Sequence, residues 1–528
     1  MTDSAPSLAN QGSSTDPNLK VGASGGPGAP AFRRESHLSR EVHFADTTIR
    51  DGPQSLWANN MRTGMILAIA EDLDRAGFEG IETEYSHPKK SVRELKEDPW
   101  ERLRLLRQRV TRTPLRAIHG RFRQFQISPP VLYELLIQCV ARAGVRQARI
   151  SDEWNQIPMW QWKVRTARDA GIDPIINVIF SHSPKHTDEY FAERVRQLAQ
   201  MDVYRICLKD PGGLLTPERM QTLVPAVLAA AGDKEVEIHS HCTTGLGPLN
   251  AIEAVKLGIR TINVGVPPLA NGTALPNVFN VAANLRALGY EPVLDEAPLR
   301  RVEARLTAIA RHDSLPIGRP VEHDVAQYHH QVPGGMISNM RHQLKLVGLE
   351  SRLEESLEEC SRIREEWGYP IMVTPLSQFV GSQAALNVIA GERYKVVTDQ
   401  TILYTLGHWG GEEATSAMSP DVRDKILDRP RGRELAAWER PRPTLEEARK
   451  QFGAPGMSDE EMLMRLEVID AEIEAMRAAG PPRSYEHLDA EQPLVELVRA
   501  LATRRDRAFI QVQKDGTSIT LAKREALA

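Results

Sequence analysis

The sequence predicts an α/β protein: a (β/α)8 TIM barrel followed by a mostly helical C-terminal domain. Eight short β-branched runs begin at residues 41, 80, 114, 147, 173, 203, 235 and 261. The segments between them show helical periodicity and several end at glycine. About 250 residues is the usual size of such a barrel. A doubly wound open sheet is the competing architecture, but it requires a Gly-rich phosphate turn after the first strand, and none follows here.

The eight predicted strands alternate with segments long enough for helices, which is the pattern of a parallel sheet with helical crossovers. In such a barrel the carboxyl ends of all strands meet at one mouth, where functional side chains are expected. In chain order the predicted strands are EVHFADTT, GIETEY, PLRAIHG, QARISD, DPIINVIF, VYRICLKD, EVEIHSH and TINVGV.

Outside the barrel the chain changes character twice. The N-terminal segment is rich in Gly, Pro, Ser and Ala, so it cannot bury enough apolar surface to offset its ordering entropy. The C-terminal part combines a Pro- and Arg-rich linker, a helix from Ser458 to Gly480, and a hairpin around Asp515-Gly516. The predicted division is a disordered tail over 1–40, the barrel over 41–290, a helical domain over 291–425, and a linker, helices and hairpin over 426–528.

The composition excludes several functional classes. Lys and Arg (66) nearly balance Asp and Glu (70), and the net charge of -4 argues against a nucleic-acid partner. The N-terminus lacks a signal peptide, and no stretch reaches the 18 apolar residues of a membrane span. The four cysteines are widely spaced without a Cys-x-x-Cys pair, which fits a reducing compartment. We therefore expect a soluble cytoplasmic chain.

Two histidines and one aspartate are candidate metal ligands. His239 and His241 lie two residues apart at the end of the seventh predicted strand, so both face the same side. Alternatively, the two histidines are ordinary polar residues at a strand end whose hydrogen bonds are made within the protein. Asp51 follows the first strand and could be a carboxylate ligand, or part of an Asp-Gly turn with a surface ion pair.

Lys209 ends the apolar run of the sixth predicted strand, where a buried ammonium is costly unless it is paired or modified. The next residue, Asp210, could form an ion pair with this ammonium. A neutral amine, however, reacts with carbon dioxide to give an anionic carbamate that binds metal through oxygen. Asp51, Lys209, His239 and His241 would then form a set of O and N donors around one divalent ion.

Six motifs, in order, resemble the carboxyltransferase domain of biotin-dependent enzymes: pyruvate carboxylase, the oxaloacetate decarboxylase alpha subunit and the transcarboxylase large subunit. The resemblance covers about residues 41–425. The wider superfamily of HMG-CoA lyase and isopropylmalate synthase barrels shares RDG and His-x-His but lacks the PGGMISN and TPxSQxVGxQA blocks. The motifs are DTTIRDGPQS, KEDPWERLRLLR, LKDPGG, HSHCTTG, QVPGGMISNMRHQL and TPLSQFVGSQAALNV.

The resemblance implies roles for further residues. Arg50 and Gln54 would contact the 2-oxo acid and its enolate. Thr273 matches the threonine that binds biotin and moves a proton between biotin and the enolate. Arg121 is the best match to a carboxylate-binding arginine, although the RGxN pattern of the family is missing. The implied ligands of a divalent Zn, Mn or Co ion are Asp51, carbamylated Lys209, His239 and His241.

The resemblance also implies partners. The chain contains neither a Met-Lys-Met biotinylation motif nor a Gly-rich ATP-binding segment. We therefore expect biotin to come from a separate biotin carboxyl carrier protein, with a biotin carboxylase subunit, and we expect a homo-oligomer. The leading hypothesis is a carboxyltransferase subunit acting on a 2-oxo acid related to pyruvate or oxaloacetate. The alternatives are a biotin-independent acyl-CoA or 2-oxo acid lyase or condensing enzyme, and a non-catalytic scaffold.

Three departures from the family concern the substrate. TEYSHPKKSV replaces the Trp-Gly-Gly-Ala-Thr segment after the second strand, Pro53 replaces a histidine, and Cys242 replaces Asp or Ser. The new segment brings bulk and positive charge, which favours an acceptor with a second anionic group over plain pyruvate. The alternative is that its lysines point to solvent and only Tyr85 reshapes the pocket.

Overall fold

A computed structural model describes most of the chain from residue 40 onward. The first 39 residues of the predicted tail, most of the PGGMISN motif and the Asp515-Gly516 turn lie outside the described residues. The described residues are 40–488, except 84, 86, 87, 124, 326, 333–336, 338, 339, 342, 343 and 347, together with 501, 509–514 and 517–522.

Eight parallel strands form a closed barrel, which confirms the predicted fold. Each strand pairs with the next, and the first strand pairs with both the second and the eighth. All eight predicted runs contain a strand. The strands are β1 Glu41–Asp46, β2 Gly80–Thr83, β3 Leu115–His119, β4 Gln147–Ile150, β5 Asp173–Ile179, β6 Arg205–Asp210, β7 Val236–Ser240 and β8 Thr261–Val264.

Helices surround the barrel because each crossover has an apolar face. In α2, for example, Met65, Ile69 and Leu73 recur every fourth residue and are buried. A π-helical turn covers Ser91–Leu95, and a two-residue strand, β9 Glu291–Pro292, pairs with the start of β1. The helices are α1 Asp51–Leu56, α2 Thr63–Arg75, α3 Pro88–Lys90, α4 Pro99–Arg109, α5 Pro130–Arg142, α6 Ile157–Asp169, α7 Asp188–Ala199, α8 Pro217–Ala231, α9 Gly247–Lys256, α10 Val278–Ala287 and α11 Glu296–His312.

The part of the chain after α11 is helical, as predicted, with two differences in detail. The segment predicted as a linker contains the helix Pro430–Ala436, and the single helix predicted from Ser458 is two helices separated at residues 466–469. The helices are α12 Gln327–His330, α13 Leu353–Glu366, α14 Leu376–Ala390, α15 Asp399–Thr405, α16 Gly411–Ala417, α17 Pro420–Leu427, α18 Pro430–Ala436, α19 Leu445–Phe452, α20 Asp459–Arg465 and α21 Asp470–Ala478.

Two short strands, β10 Phe509–Lys514 and β11 Thr517–Ala522, pair antiparallel as the predicted C-terminal hairpin requires. All four cysteines are buried and free. Among the helices of the described residues, none combines the length and the hydropathy that crossing a membrane would need.

The helical region contacts the loops at the barrel mouth. Trp154, which follows β4, packs in the same apolar cluster as Trp367 and Tyr404 of the helical region. Arg364 of α13 donates from Nη2 to the Ser181 hydroxyl after β5 at 2.9 Å. The helical region therefore covers the carboxyl ends of β4 and β5. The segment just after α11 also contacts the loops after β7 and β8, since His323 bonds the Thr244 carbonyl and the Gly318 N–H donates to the Pro268 carbonyl.

The barrel interior is charged at its centre. Glu237 of β7 and Arg116 of β3 are both fully buried, and Nη1 of Arg116 donates to the two carboxylate oxygens of Glu237 at 3.0 and 3.1 Å. Arg205 of β6 lies 3.5 Å from the same carboxylate. A buried charge is tolerated only when it is paired in this way.

We expect Glu237→Gln to lower the free energy of unfolding by about 3 to 5 kcal/mol, because it leaves the Arg116 guanidinium buried without its counter-charge. Urea unfolding followed by circular dichroism measures the change. Glu434→Gln, which removes a partner of the exposed Arg431, is the control and should cost about 1 kcal/mol or less. Equal stability losses in the two variants would contradict this account of the interior.

Candidate functional site

The turn between β1 and α1 places Arg50 and Asp51 at the barrel mouth. The backbone carbonyl of Thr47 accepts hydrogen bonds from the N–H groups of both residues, at 3.3 and 2.9 Å, and so fixes the turn. Both side chains are buried. The Ser55 hydroxyl, one helical turn later, donates to Oδ1 of Asp51 at 2.9 Å. The carboxylate is therefore oriented by its own helix.

The carboxylate of Asp51 faces His239 and His241 at the end of β7. Nε2 of His239 lies 3.5 Å from Oδ2, and Nε2 of His241 lies 3.6 Å from Oδ1. The two Nε2 atoms are 3.2 Å apart. One ligand atom from each residue lies within 4.8 Å of the others, which is compact enough for a single metal ion.

A ring proton on Nδ1 meets an acceptor in both histidines, but in His239 this atom also lies 2.6 Å from Nη1 of Arg149, which can only donate. Nδ1 of His241 lies 2.7 Å from the backbone carbonyl of Thr273, and Nδ1 of His239 lies 3.1 Å from the amide oxygen of Asn263. A neutral imidazole carries one ring proton. With that proton on Nδ1, both Nε2 lone pairs face Asp51.

The charges at the site suit a cation. Burial would raise the pKa of Asp51, but the Arg50 guanidinium, followed by His241, holds it well below its usual range. Burial and then Arg149 hold the pKa of His239 well below its usual value, so this imidazole is neutral. One anionic carboxylate and two imidazole nitrogen donors form a set that divalent transition metals accept.

Lys209 lies beside the triad on β6. Its backbone pairs in register with His239, so the two side chains share the inner face of the barrel. Burial, then Arg149 and Arg50, lower the pKa of Lys209 to about 8, although Asp51 opposes the shift. Asp210 does not act as the simple partner, because its carboxylate accepts from the backbone N–H groups of Leu214 and Leu215.

A buried ion network holds Arg50 in place. Glu82 at the end of β2 accepts from Nε and Nη2 of Arg50 at 2.9 and 2.7 Å, and lies 2.7 Å from Nη1 of Arg149. Burial would raise the pKa of Glu82, but Arg149 and then Arg50 lower it to about 2. Nη1 of Arg50 donates to Oε1 of the exposed Gln54 at 2.9 Å. The guanidinium therefore has a fixed orientation beside Asp51.

Thr273 belongs to the same mouth. The side chain is half-buried, and its hydroxyl donates to the backbone carbonyl of Ser55 at 2.8 Å. Its own carbonyl accepts from His241. The loop after β8 thus contacts both α1 and β7. The predicted residues that the structure brings together here are Arg50, Asp51, Gln54, Lys209, His239, His241 and Thr273.

Arg121 is placed differently. Its Nε donates to Glu153 at 2.8 Å, and its guanidinium lies 4.8 Å above the Trp409 ring. Burial would lower the pKa of Arg121, but Glu153 raises it, so the charge is paired. Within the described part of the chain, these contacts engage Arg121 with the helical region rather than with the triad, and its role as a carboxylate-binding residue stays a prediction.

Three residues in contact with the site were not among the predicted ones: Glu82, Arg149 and Asn263. Each is a charged or amide residue in a short strand that is buried along its whole length. Because alternate residues of a strand face the same side, such residues near strand ends are the signal that could have identified them.

The segment after β2, which departs from the family, is packed against the barrel helices. Tyr85 is buried and stacks on Trp100, with ring centroids 3.9 Å apart. Lys90 pairs with Glu94, and Lys89 lies 3.7 Å from a carboxylate oxygen of Glu467. Glu84 and His87 lie outside the described residues. The two lysines are therefore paired with acids. Tyr85 and Lys90 both line the pocket beside Arg50, and the altered acceptor stays a prediction.

Comparisons with known proteins identify the family of this chain. Residues 328–469 match the family model described as conserved carboxylase domain, and residues 140–306 match the HMGL-like model. A pyruvate carboxylase subunit of Methanocaldococcus jannaschii is 34% identical over 396 residues, covering 73% of this chain and 68% of the relative. The 2-oxoglutarate carboxylase large subunit of Hydrogenobacter thermophilus is 30% identical, covering 74% and 60%.

A solved structure shares the fold. The carboxyl transferase domain of Rhizobium etli pyruvate carboxylase, with oxamate and biotin, superposes with a TM-score of 0.72 and 22% identity, over 84% of this chain and 78% of that one. The identity and extent of the M. jannaschii match go beyond the fold and show the family. The chain belongs to the carboxyltransferase family of biotin-dependent enzymes that includes this archaeal pyruvate carboxylase subunit.

Proposed function

We propose that this chain is the carboxyltransferase subunit of a multi-subunit biotin-dependent enzyme and moves a carboxyl group between carboxybiotin on a partner protein and a 2-oxo acid. The observation that carries the proposal is the convergence of Asp51, His239 and His241, with Lys209 in register, at the barrel mouth. The relative from M. jannaschii is named as one subunit of its enzyme, which supports separate carrier and biotin carboxylase proteins.

The donor set fits a divalent ion. Asp51 offers a carboxylate oxygen, and His239 and His241 offer Nε2 lone pairs when their ring protons lie on Nδ1, next to the acceptors Asn263 and Thr273. A carbamate on Lys209 would add an anionic oxygen donor. Zn, Mn and Co all accept such mixed O and N ligands. When bound, the ion would supply Lewis-acid stabilisation of the charge that develops on the 2-oxo acid.

The protein residues complete the chemistry. Arg50 is fixed by Glu82 and Gln54. Its permanent positive charge would lie beside the carboxylate and enolate oxygens of the bound 2-oxo acid. In the transfer, the N–C bond of carboxybiotin breaks and a C–C bond forms at the substrate carbon next to the oxo group. Thr273 takes the proton that leaves this carbon and gives one to the biotin nitrogen. In reverse, the same residues decarboxylate oxaloacetate.

The acceptor class is a 2-oxo acid. Two of the relatives are named for pyruvate and for 2-oxoglutarate, and the packing of Tyr85 against Trp100 next to Arg50 makes this pocket differ from the family pattern. A panel of 2-oxo acids with one and two carboxylates, tested with the reconstituted enzyme, decides between them. The homo-oligomer and the cytoplasmic location stay predictions of the sequence.

Lys209 is expected to carry a carbamate. Because its pKa is lowered to about 8, a substantial fraction of the amine is neutral in mildly alkaline solution and can attack carbon dioxide, with release of one proton. ¹³C NMR of the protein equilibrated with ¹³C-bicarbonate and a divalent ion should show a carbamate signal. Lys209→Met should lack it, while Lys185→Met, which removes a lysine paired with Glu413, should keep it. A signal that persists in Lys209→Met would contradict the assignment.

Co-purification tests the proposed function. The chain, tagged and expressed at native level in its own cells, should be isolated together with a biotinylated protein that streptavidin detects. Isolation of the intact chain in active form with no biotinylated partner would overturn the proposal and favour a biotin-independent lyase.

A further inference from the structure

We propose that Asn263 is a positioning residue that fixes the tautomer of the metal ligand His239. Asn263 lies on β8, is 1% exposed, and places its amide oxygen 3.1 Å from Nδ1 of His239. By accepting the Nδ1 proton, this oxygen keeps the Nε2 lone pair free and directed at Asp51. The inference rests on the metal site of the proposed function. It adds that the ability of His239 to bind the ion depends on Asn263.

The orientation of the Asn263 amide follows from its neighbours. Nη1 of Arg149 donates to the amide oxygen, and the amide nitrogen donates to Oε1 of Glu237 at 3.2 Å. The reversed amide would place its NH₂ group against a guanidinium and its oxygen against a carboxylate, and neither contact could form a hydrogen bond. Glu237 is itself fixed by Arg116. The oxygen of Asn263 is therefore the atom that faces His239.

Nδ1 of His239 has two neighbours that favour opposite tautomers. Nη1 of Arg149 lies 2.6 Å away, and a guanidinium can only donate. A hydrogen bond from Arg149 would leave the single ring proton on Nε2, the atom that must bind the ion. The amide oxygen of Asn263 is an acceptor and favours the proton on Nδ1. Because Arg149 is the closer neighbour, the tautomer that binds an ion through Nε2 depends on the acceptor that Asn263 supplies.

His241 does not need such a residue, because its Nδ1 faces a backbone carbonyl at 2.7 Å, which can only accept. The two ligands thus differ: the tautomer of His241 is fixed by the main chain, whereas that of His239 depends on one side chain. Hydrogen-bond partners of metal-bound histidines typically change metal affinity 10- to 100-fold when they are removed.

Metal titration of the purified, metal-free full chain tests the inference. The affinity for Co²⁺ is measured by competition with a chelating indicator, and folding by circular dichroism. We expect Asn263→Leu to weaken Co²⁺ binding about 10- to 100-fold, and ¹⁵N NMR of its labelled histidine rings to show the ring proton of metal-free His239 on Nε2. Asn177→Leu is the matched control, because Asn177 is also buried on a barrel strand but donates to the Ser151 hydroxyl; it should bind as the wild type does.

Unchanged affinity in folded Asn263→Leu would overturn the inference and leave the proposed function intact, whereas a wild-type chain that binds no Co²⁺ would overturn both. If Asn263→Leu does not fold, ¹⁵N NMR of the metal-free wild type labelled in its histidine rings decides the question, with the His239 signal assigned by its loss in His239→Gln. A proton on Nδ1 of His239 is the expected result, and a proton on Nε2 would refute the inference.

Discussion

Replacing His239 by alanine is expected to remove the bound divalent ion, and with it carboxyl transfer. The wild-type chain should purify with about one ion per chain, held between the Asp51 carboxylate and the two Nε2 atoms. The substitution deletes one donor and removes the ring that separates the ion position from the Arg149 guanidinium, so a cation meets fewer ligands and lies closer to a positive charge. Elemental analysis by mass spectrometry of the purified protein measures the loss directly.

His186→Ala is the matched control for this prediction. His186 is also a buried histidine near the carboxyl end of a barrel strand, but its Nδ1 bonds the Ser183 hydroxyl at 2.6 Å, outside the triad. It should therefore retain the full metal content. Equal occupancy in His239→Ala and in the wild type would show that the ion, if present, lies elsewhere.

Replacing Thr273 by alanine is expected to slow carboxyl transfer by about 10²- to 10⁴-fold, the range in which a positioned proton-transfer group contributes. The metal should stay in place, because His241 bonds the backbone carbonyl of Thr273 and not its hydroxyl. The hydroxyl contributes one hydrogen bond, to the carbonyl of Ser55, whose loss is worth only about 1 kcal/mol of stability. Transfer is measured with a biotinylated carrier and a radiolabelled carboxyl group.

Thr273→Ser provides the control, because it keeps the hydroxyl and should transfer at a rate close to that of the wild type. Normal metal content with a strongly reduced rate in Thr273→Ala separates a proton-transfer role from a structural one. A rate within a few-fold of the wild type would show that another group moves the proton.

The barrel could be predicted from the sequence because each of its strands is specified by a short, local pattern of residues. Each strand is a short apolar run bounded by polar turns, as in DPIINVIF, and the run by itself specifies burial and extended structure. The ligands His239 and His241 could be predicted for the same reason, since a spacing of two on one strand defines a shared face. Lys209 is recognisable as a charge that ends an apolar run.

The pairing of residues in the ion network behind the ligands could not be predicted in the same way. Glu82, Arg149 and Asn263 come from three different strands, and their pairing depends on which inward positions meet across the closed barrel. Nothing within GIETEY specifies that its first glutamate would contact an arginine two strands further along the chain. Such contacts follow from barrel closure and register, which local patterns do not determine.

Arg121 illustrates a second limit. Its position after β3 makes it the best match to a carboxylate-binding arginine although the RGxN pattern is missing, and that role stays a prediction. Its contacts in the structure, with Glu153 from the next loop and Trp409 from the helical region, could not be predicted from the local sequence. A guanidinium binds the nearest available anion, and that anion is encoded elsewhere in the chain. The same applies to Lys90, whose partner Glu94 lies in the π-helical turn.

Biotin-dependent decarboxylation of oxaloacetate tests the central proposal most directly. The metal-loaded chain, purified without partners, is mixed with oxaloacetate and free biotin, which replaces the biotinyl group of the carrier, and pyruvate formation is followed over time. The proposed function predicts that pyruvate forms at a rate that rises with biotin concentration and is lost in Thr273→Ala. Pyruvate formation at the same rate with and without biotin, unchanged by Thr273→Ala, together with no biotin-dependent turnover of any acid in the 2-oxo acid panel, would contradict the proposed function.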